Sequence, residues 1–303
     1  MHPTTVQALR RYRRRRDPSV ADTDDMPLFI ITRGSRWAQD PNGRQVHRVF
    51  AALRKAFGAR RTGYAAGSMV PCIGLAEYSG CGSTNNGEGA MKLYYDPITV
   101  NCRKVAAGFN LMGVNFERSH VDYFAGGHKA PEFLLINPNA ALPALVDGDF
   151  KLWESNAILQ YVADKNEAFT YYPREPKVRA DIHRWQLWES AHWFPSCYVY
   201  LVENLVKPML KAEPDHAVID KEAPNWHKLA NILDQRLANQ RWLCGDNVTL
   251  ADIAVAAPMH LHSYQKLPLD THRNLRRWMT EDIEELPCWK ATDVTTVLGL
   301  KPA

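Results

Sequence analysis

The chain has no apolar run approaching the roughly 18 residues that a membrane-spanning helix needs. The longest early one, Met26 to Thr32, is also too short for the core of a secretory signal. A cytoplasmic protein with no membrane partner is therefore expected. Zinc-ribbon and disulfide frameworks are missing as well, because Cys72, Cys81, Cys102, Cys197, Cys244 and Cys288 are scattered and none belongs to a CxxC pair. Reduced thiols follow. No GxGxxG or GxxxxGK[ST] string occurs, which removes the dinucleotide and P-loop readings. His260 and His262 hint at a metal, but two residues apart on a helix they point about 200° from each other. No metal ion is expected.

What is present is ordinary for a globular protein: 303 residues, 46% hydrophobic and 23% charged, long enough for two compact domains. The charge is unevenly shared. Residues 1–90 hold 14 Lys+Arg against 7 Asp+Glu, a balance of +7, while the remainder carries −3, so the whole stands at +4. The basic character rests on Arg10, Arg11 and Arg13 to Arg16 with one interleaved aromatic, Tyr12, too little to predict a nucleic-acid partner. Asp22, Asp24 and Asp25 count against an organelle transit peptide. Only Val46 to Phe57 has the look of an amphipathic helix, and Gly80 to Gly89, GCGSTNNGEG, is a flexible polar stretch that stops just before Met91. Residues 1–90 are expected to be a disordered extension or a stretch upstream of a true start at Met91, with a targeting or binding arm as the third alternative.

From Met91 the pattern changes. Lys92 to Tyr95 predicts a strand, Pro97 a turn, Val100 to Met112 a helix ended at Gly113, and Asn115 to Val121 a second strand. After the Gly126 to His128 loop and a helical Pro131 to Ile136, the strands Pro143 to Val146 and Phe150 to Trp153 flank Asp147-Gly148-Asp149, a hairpin signal. Ser155 to Lys165 then carries Ile158, Leu159 and Val162 at helical spacing. Beyond the Tyr172 to Pro176 linker only helical stripes recur, at Ile182, Trp185 and Trp188 and at Trp226, Leu229, Leu233 and Leu237. Thr249 and Asp252 form a capping box at a further helix start, with Val248 and Ile253 as a staple. The fold class is α/β plus all-α, in the order βαβα, ββα, then helices.

Three strings carry a family resemblance: Lys92-Leu93-Tyr94-Tyr95-Asp96-Pro97-Ile98-Thr99, Asn137-Pro138-Asn139-Ala140-Ala141-Leu142-Pro143-Ala144-Leu145-Val146-Asp147, and Trp153-Glu154-Ser155-Asn156-Ala157-Ile158. Together with Tyr172-Pro173-Arg174 and Gly245 to Asp252, they resemble the cytosolic glutathione transferases over about residues 91–300. Thr99-Val100-Asn101 is similar to the bacterial theta- and nu-like pattern, whereas Asn156 and Ala140 depart from common family residues. The resemblance implies a thioredoxin-like glutathione-binding domain at 91–166, a helical domain at 174–300, and a homodimer. It also implies conjugation of glutathione to small hydrophobic electrophiles in detoxification, with no cofactor beyond glutathione as co-substrate. A glutathione-dependent disulfide reductase or peroxidase, or a non-catalytic binding module of the same fold, are the alternatives.

The residues the resemblance singles out make physical sense. Thr99 and Asn101 are the catalytic candidates, since a thiol of pKa about 8.5 must ionise at neutral pH and a hydroxyl donor near the sulfur favours the thiolate. Leu142-Pro143 resembles the family's cis-proline. A bend there leaves the Leu142 N–H and C=O free to pair with an added peptide strand. Ser155, at a helix N-terminus, suits the γ-glutamyl carboxylate, and Glu154 its amino group. His128 and Lys129 suit the glycine carboxylate. Against these stand plainer readings: Thr99, Glu154 and Ser155 as helix caps, Cys102 as a packed thiol, Tyr94 and Tyr95 as core. Trp185, Trp188, Trp193 and Tyr200 are either core or, for one or two of them, the wall of an electrophile pocket.

Overall fold

The structure, a computed structural model, describes residues 91–300; the expectations for the first ninety residues, Val46 to Phe57 included, lie outside the described residues. Strand β1 (Lys92–Tyr95), helix α1 (Val100–Met112) and strand β2 (Glu117–His120) form a parallel pair with its crossover helix. A 3-10 turn at Gly127–Lys129 and the short α2 (Pro131–Leu134) lead to β3 (Ala144–Asp147), β4 (Phe150–Trp153) and α3 (Ser155–Lys165). The sheet order is β2-β1-β3-β4, with β1–β3 and β3–β4 antiparallel. Leu93 pairs with Leu145, and both are fully buried, so the inner face of the sheet is fixed by the alternation of side chains along the strands.

Helix α1 and helix α3 cover that face with Val105, Phe109, Ile158, Leu159 and Val162. They approach so closely at Gly108 that an added Cβ would lie 2.3 Å from a Leu159 methyl. Gly113 ends α1 at φ 67, where glycine carries no Cβ penalty, and Val114 N–H closes the end on the Phe109 carbonyl at 3.0 Å.

The rest is helical. Helix α4 (Pro176–Trp188) starts under a Glu175 cap, whose carboxylate accepts from Val178 N–H at 2.7 Å. It runs without leaving helical backbone angles through a π-helical turn (Glu189–Trp193), α5 (Phe194–Leu201), a second π-helical turn (Val202–Val206) and α6 (Lys207–Met209). Helix α7 (His216–Leu237) buries Trp226, Leu229, Leu233 and Leu237, the stripe read from spacing. Helix α8 (Leu250–Ala256) begins with the capping box of Thr249 and Asp252. Shorter helices follow: α9 (His262–Gln265), α10 (Arg273–Arg277), α11 (Pro287–Lys290) and α12 (Thr295–Leu298). Trp193, Tyr200 and Trp226 are buried together in the main core, as is Trp185. Trp193 donates its indole N–H to the Val255 carbonyl at 3.1 Å. These aromatics are core, and of the pocket candidates Trp185, Trp188, Trp193 and Tyr200 only Trp188 is partly exposed. Among the described residues no helix is long and apolar enough to cross a membrane.

Candidate active site

The first turn of α1 presents a different residue to each of three neighbours. Cys102 packs with Phe133, Leu142 and Ala144, beside Tyr94, Tyr95 and Tyr123. Asn101 faces the start of α3, where the Ser155 hydroxyl donates to its Oδ1 at 3.4 Å. Val100 turns to the helical region and packs with Leu201, Leu205, Leu261 and Val294. Thr99, just ahead, is the residue between these surfaces.

Thr99 has the extended backbone of an N-cap, yet its side chain caps nothing; the hydroxyl instead donates to the Asp96 carbonyl at 3.0 Å. The cap reading of this residue therefore fails, because the turn starting at Asp96 takes the hydroxyl backwards, away from the helix. The Asp96 carboxylate accepts from Ile98 N–H at 3.2 Å and Tyr123 N–H at 3.0 Å, locking the turn to the loop after β2. Burial pushes that carboxyl above its ordinary value, against the pull of those two donors. Cys102 is fully buried, and burial drives its thiol up to about 12. It stays protonated and serves as packing.

On the Tyr123 side, His128 is 5% exposed and stacks on the Tyr123 ring with centroids 4.3 Å apart. Burial and the neighbouring Lys129 charge hold it below the ordinary histidine value, so the ring is neutral at pH 7. Its Nδ1 is buried without a partner. Lys129 is exposed. On the opposite wall the Leu142–Pro143 peptide is cis, and among the described residues neither the Leu142 N–H nor its carbonyl has a hydrogen-bond partner. At the junction of β4 and α3, Glu154 is exposed and sits at φ 74, in the left-handed region, with no side-chain cap bond. Such a backbone costs on the order of 1–3 kcal/mol and tends to persist at functional sites. Ser155, 7% exposed, opens α3.

The sequence reading missed what lies beneath Ser155. Lys104 and Glu189, each about 1% exposed or less, form an ion pair at 2.8 Å, and the same Lys104 Nζ donates to Ser155 Oγ at 3.2 Å. The Asn156 amide donates to Glu189 at 3.2 Å, to the Ser190 hydroxyl at 3.1 Å and to the Gln186 carbonyl at 3.1 Å. The only available signal was a lysine beside Arg103 near the start of the helix, and that reads equally well as a surface residue.

Comparison with known proteins gives the same outline. The glutathione S-transferase N-terminal domain matches residues 91–164 and the C-terminal domain of that family residues 198–287. Glutathione S-transferase 3 of Zea mays is 39% identical over 164 residues, which is 54% of this chain and 73% of that protein. The chain belongs to the glutathione S-transferase family. A probable glutathione S-transferase, GSTF2, of Oryza sativa subsp. japonica is 32% identical over 194 residues, covering 63% of this chain and 90% of the rice protein. The solved structure of glutathione S-transferase I from mais in complex with an atrazine glutathione conjugate superposes with a TM-score of 0.62 at 27% identity, covering 67% of this chain and 96% of that one. The bacterial theta- and nu-like affinity expected from Thr99-Val100-Asn101 is not supported, since the maize and rice relatives are plant transferases.

Within this transferase, the order of the site is clear. Thr99, Asn101 and Ser155 lie along the joined starts of α1 and α3, Leu142 lies on the other side of Cys102, and His128 hangs on the Tyr123 loop. Glu154 and Lys129 are the exposed members. His260 and His262 go separate ways, the first to the Ala257 carbonyl at 2.9 Å and the second to Glu284 at 3.0 Å. Among the described residues no cluster of three or more metal-ligating side chains occurs.

Proposed function

We propose that this transferase binds glutathione as a short strand against Leu142 and ionises its thiol at Thr99 and Asn101. The thiolate then attacks a small hydrophobic electrophile. The observation that carries this reading is the pair of Leu142 backbone groups that have no partner among the described residues, packed through Cys102 against the first turn of α1. A peptide is the ligand that satisfies an N–H and a C=O on one residue at once. Its γ-glutamyl carboxylate would meet Ser155 and the α3 N-terminus, where anions are favoured, with Glu154 accepting from the amino group. The buried, unpartnered Nδ1 of neutral His128, together with Lys129, suits the glycine carboxylate.

Magnitudes limit what Thr99 can do. A hydrogen bond to a charged partner contributes about 1.5–3 kcal/mol and one to a neutral partner about 0.5–1.5. Thr99 must give up the Asp96 carbonyl to reach the sulfur, so the net gain is about 1–1.5 kcal/mol, or roughly one pK unit. The α1 N-terminus adds up to about 1 kcal/mol. The thiol proton leaves to solvent; the sulfur pair then forms the carbon–sulfur bond as the leaving group departs with its own electrons. The apolar wall for the second substrate is offered by the part-buried Phe194, Val206, Met209 and Leu298, which pack on the buried Val100 cluster, with Phe194 stacked on the half-exposed Tyr198 ring at 5.5 Å.

The division into 91–166 and 174–300, a cytoplasmic location and glutathione as the one small-molecule requirement go with this reading. So does a homodimer, as the family resemblance implies. Ultraviolet titration of glutathione bound to the full chain tests the mechanism. A thiolate band at neutral pH that moves up by about one pK unit in Thr99→Ala is expected. Bound glutathione that titrates like free glutathione would overturn the conjugating mechanism in favour of a binding module.

A further inference from the structure

Four side chains beneath the site form a directed chain of hydrogen bonds that links the helical region to Asn101. Glu189, in the first π-helical turn, accepts from Lys104 Nζ at 2.8 Å. Lys104 donates a second bond to Ser155 Oγ at 3.2 Å. With that oxygen occupied as an acceptor, the Ser155 hydroxyl donates onward to Asn101 Oδ1 at 3.4 Å. An amide whose oxygen is held in this way turns its NH₂ group outward. The last bond is long, as catalytic contacts often are before substrate arrives.

We propose that Lys104, held by Glu189, is a positioning residue for thiolate formation: it sets the direction of the Ser155 hydroxyl and thereby points the Asn101 amide N–H groups at the glutathione sulfur. The proposal rests on the reading that Asn101 lies beside that sulfur. Three features support it. First, a lysine ammonium has three donors and no acceptor, so Ser155 can only accept from Lys104 and keeps its own hydroxyl proton for Asn101 Oδ1, the bond seen at 3.4 Å. Secondly, the arrangement is poorly suited to stability alone. A buried ion pair often contributes no more than an apolar pair of the same volume, and here Glu189 Oε1, Asn156 Oδ1 and Gln186 Nε2 are all buried without partners.

Thirdly, the other charged groups nearby are committed elsewhere or lie outside. Arg103, next in sequence, turns away to Thr292 Oγ at 3.2 Å and the His260 carbonyl at 3.3 Å, with its guanidinium over the Trp289 ring. Glu154 is exposed at the other end of Ser155. Lys104 and Glu189 are thus the charges that face Ser155 from within. Asn156 holds Glu189 from α3 through its amide, and the cation that faces the acid comes from α1.

The experiment is ultraviolet titration of bound glutathione in the full chain, together with kcat and KM for glutathione, in Lys104→Met/Glu189→Leu, Lys104→Arg and Asn101→Ala. Replacing both members of the pair leaves no lone charge buried, so a folded protein is expected. We expect the double variant to raise the thiolate pKa by about one unit and to lower kcat about tenfold near pH 6.5 with KM changed less. Lys104→Arg should recover most of the loss. In an Asn101→Ala background the double replacement should add nothing further. A folded double variant whose bound thiolate titrates as in the parent, while Asn101→Ala shifts it, overturns the relay and leaves the role of Asn101 standing. No shift in Asn101→Ala removes both.

Discussion

Two buried acids in this molecule, Asp252 in the first turn of a helix and Glu189 inside a continuous one, are kept in opposite ways. Asp252, fully buried at the start of α8, spends every lone pair it can: Oδ1 accepts from Leu243 N–H at 2.8 Å and the Trp278 indole at 3.3 Å, Oδ2 from the Thr249 N–H at 2.9 Å and hydroxyl at 3.0 Å. Glu189, equally buried, crowds Lys104, Asn156 and Ser190 onto Oε2 and leaves Oε1 with nothing. The first cluster is closed and ties helical elements to one another. The second is open and ends at the candidate catalytic amide. A saturated buried charge serves as a structural joint, whereas the unsaturated one is the charge that the proposed relay uses.

That contrast can be broken experimentally. Asp252→Ala strands two backbone N–H groups and an indole in the interior, and unsatisfied buried donors cost about 1–3 kcal/mol each. A loss of about 4 kcal/mol in urea unfolding is expected, with the thiolate pKa of the folded fraction unmoved. A loss under about 1 kcal/mol would show the joint to be dispensable. Next in size is the behaviour of the other cluster: Lys104→Met alone leaves Glu189 unpaired and should cost about 3 kcal/mol, while Lys104→Met/Glu189→Leu should return to within about 1 kcal/mol of the parent. If the double variant is as unstable as the single one, the open cluster is structural after all. The smallest effect sharpens the comparison from the other side. Thr249→Ala removes the hydroxyl that accepts from Ala251 N–H at 3.3 Å and should lower stability by about 1 kcal/mol, the usual cost of a lost cap, without touching activity.

The sequence made the α/β half readable almost element by element, because its strands and helices have different periods and are separated by Pro97, Gly113 and the Asp147-Gly148-Asp149 turn. The structure trims β2 to Glu117–His120 and α2 to Pro131–Leu134, since pairing length and turn geometry set those ends. The stripe on α7 was equally plain. What spacing could not show is where a small polar side chain turns. Thr99 looks like a cap and instead bonds backwards to Asp96. The Lys104–Glu189 pair was invisible for a related reason: its members are 85 residues apart, and each alone resembles a solvated charge on a helix. Nor do π-helical turns leave a trace in hydrophobic spacing, as the apolar residues around Glu189–Trp193 fit an ordinary helix just as well.

Those two wide turns have a consequence for how the chain can change length. Each holds one residue more than the α-turn it replaces and rotates everything beyond it by about 100°. Between Pro176 and Met209 the backbone has therefore absorbed the equivalent of two single-codon insertions without ceasing to be a helix. Removing one residue from 189–193 would turn the first wide turn into an ordinary α-turn, and for that reason a wrong one. Glu189 could still face Lys104, but the Leu201 and Leu205 side chains would swing off Val100. The bulge is the phase shift that lets one helix address a polar neighbour with its first half and an apolar one with its second.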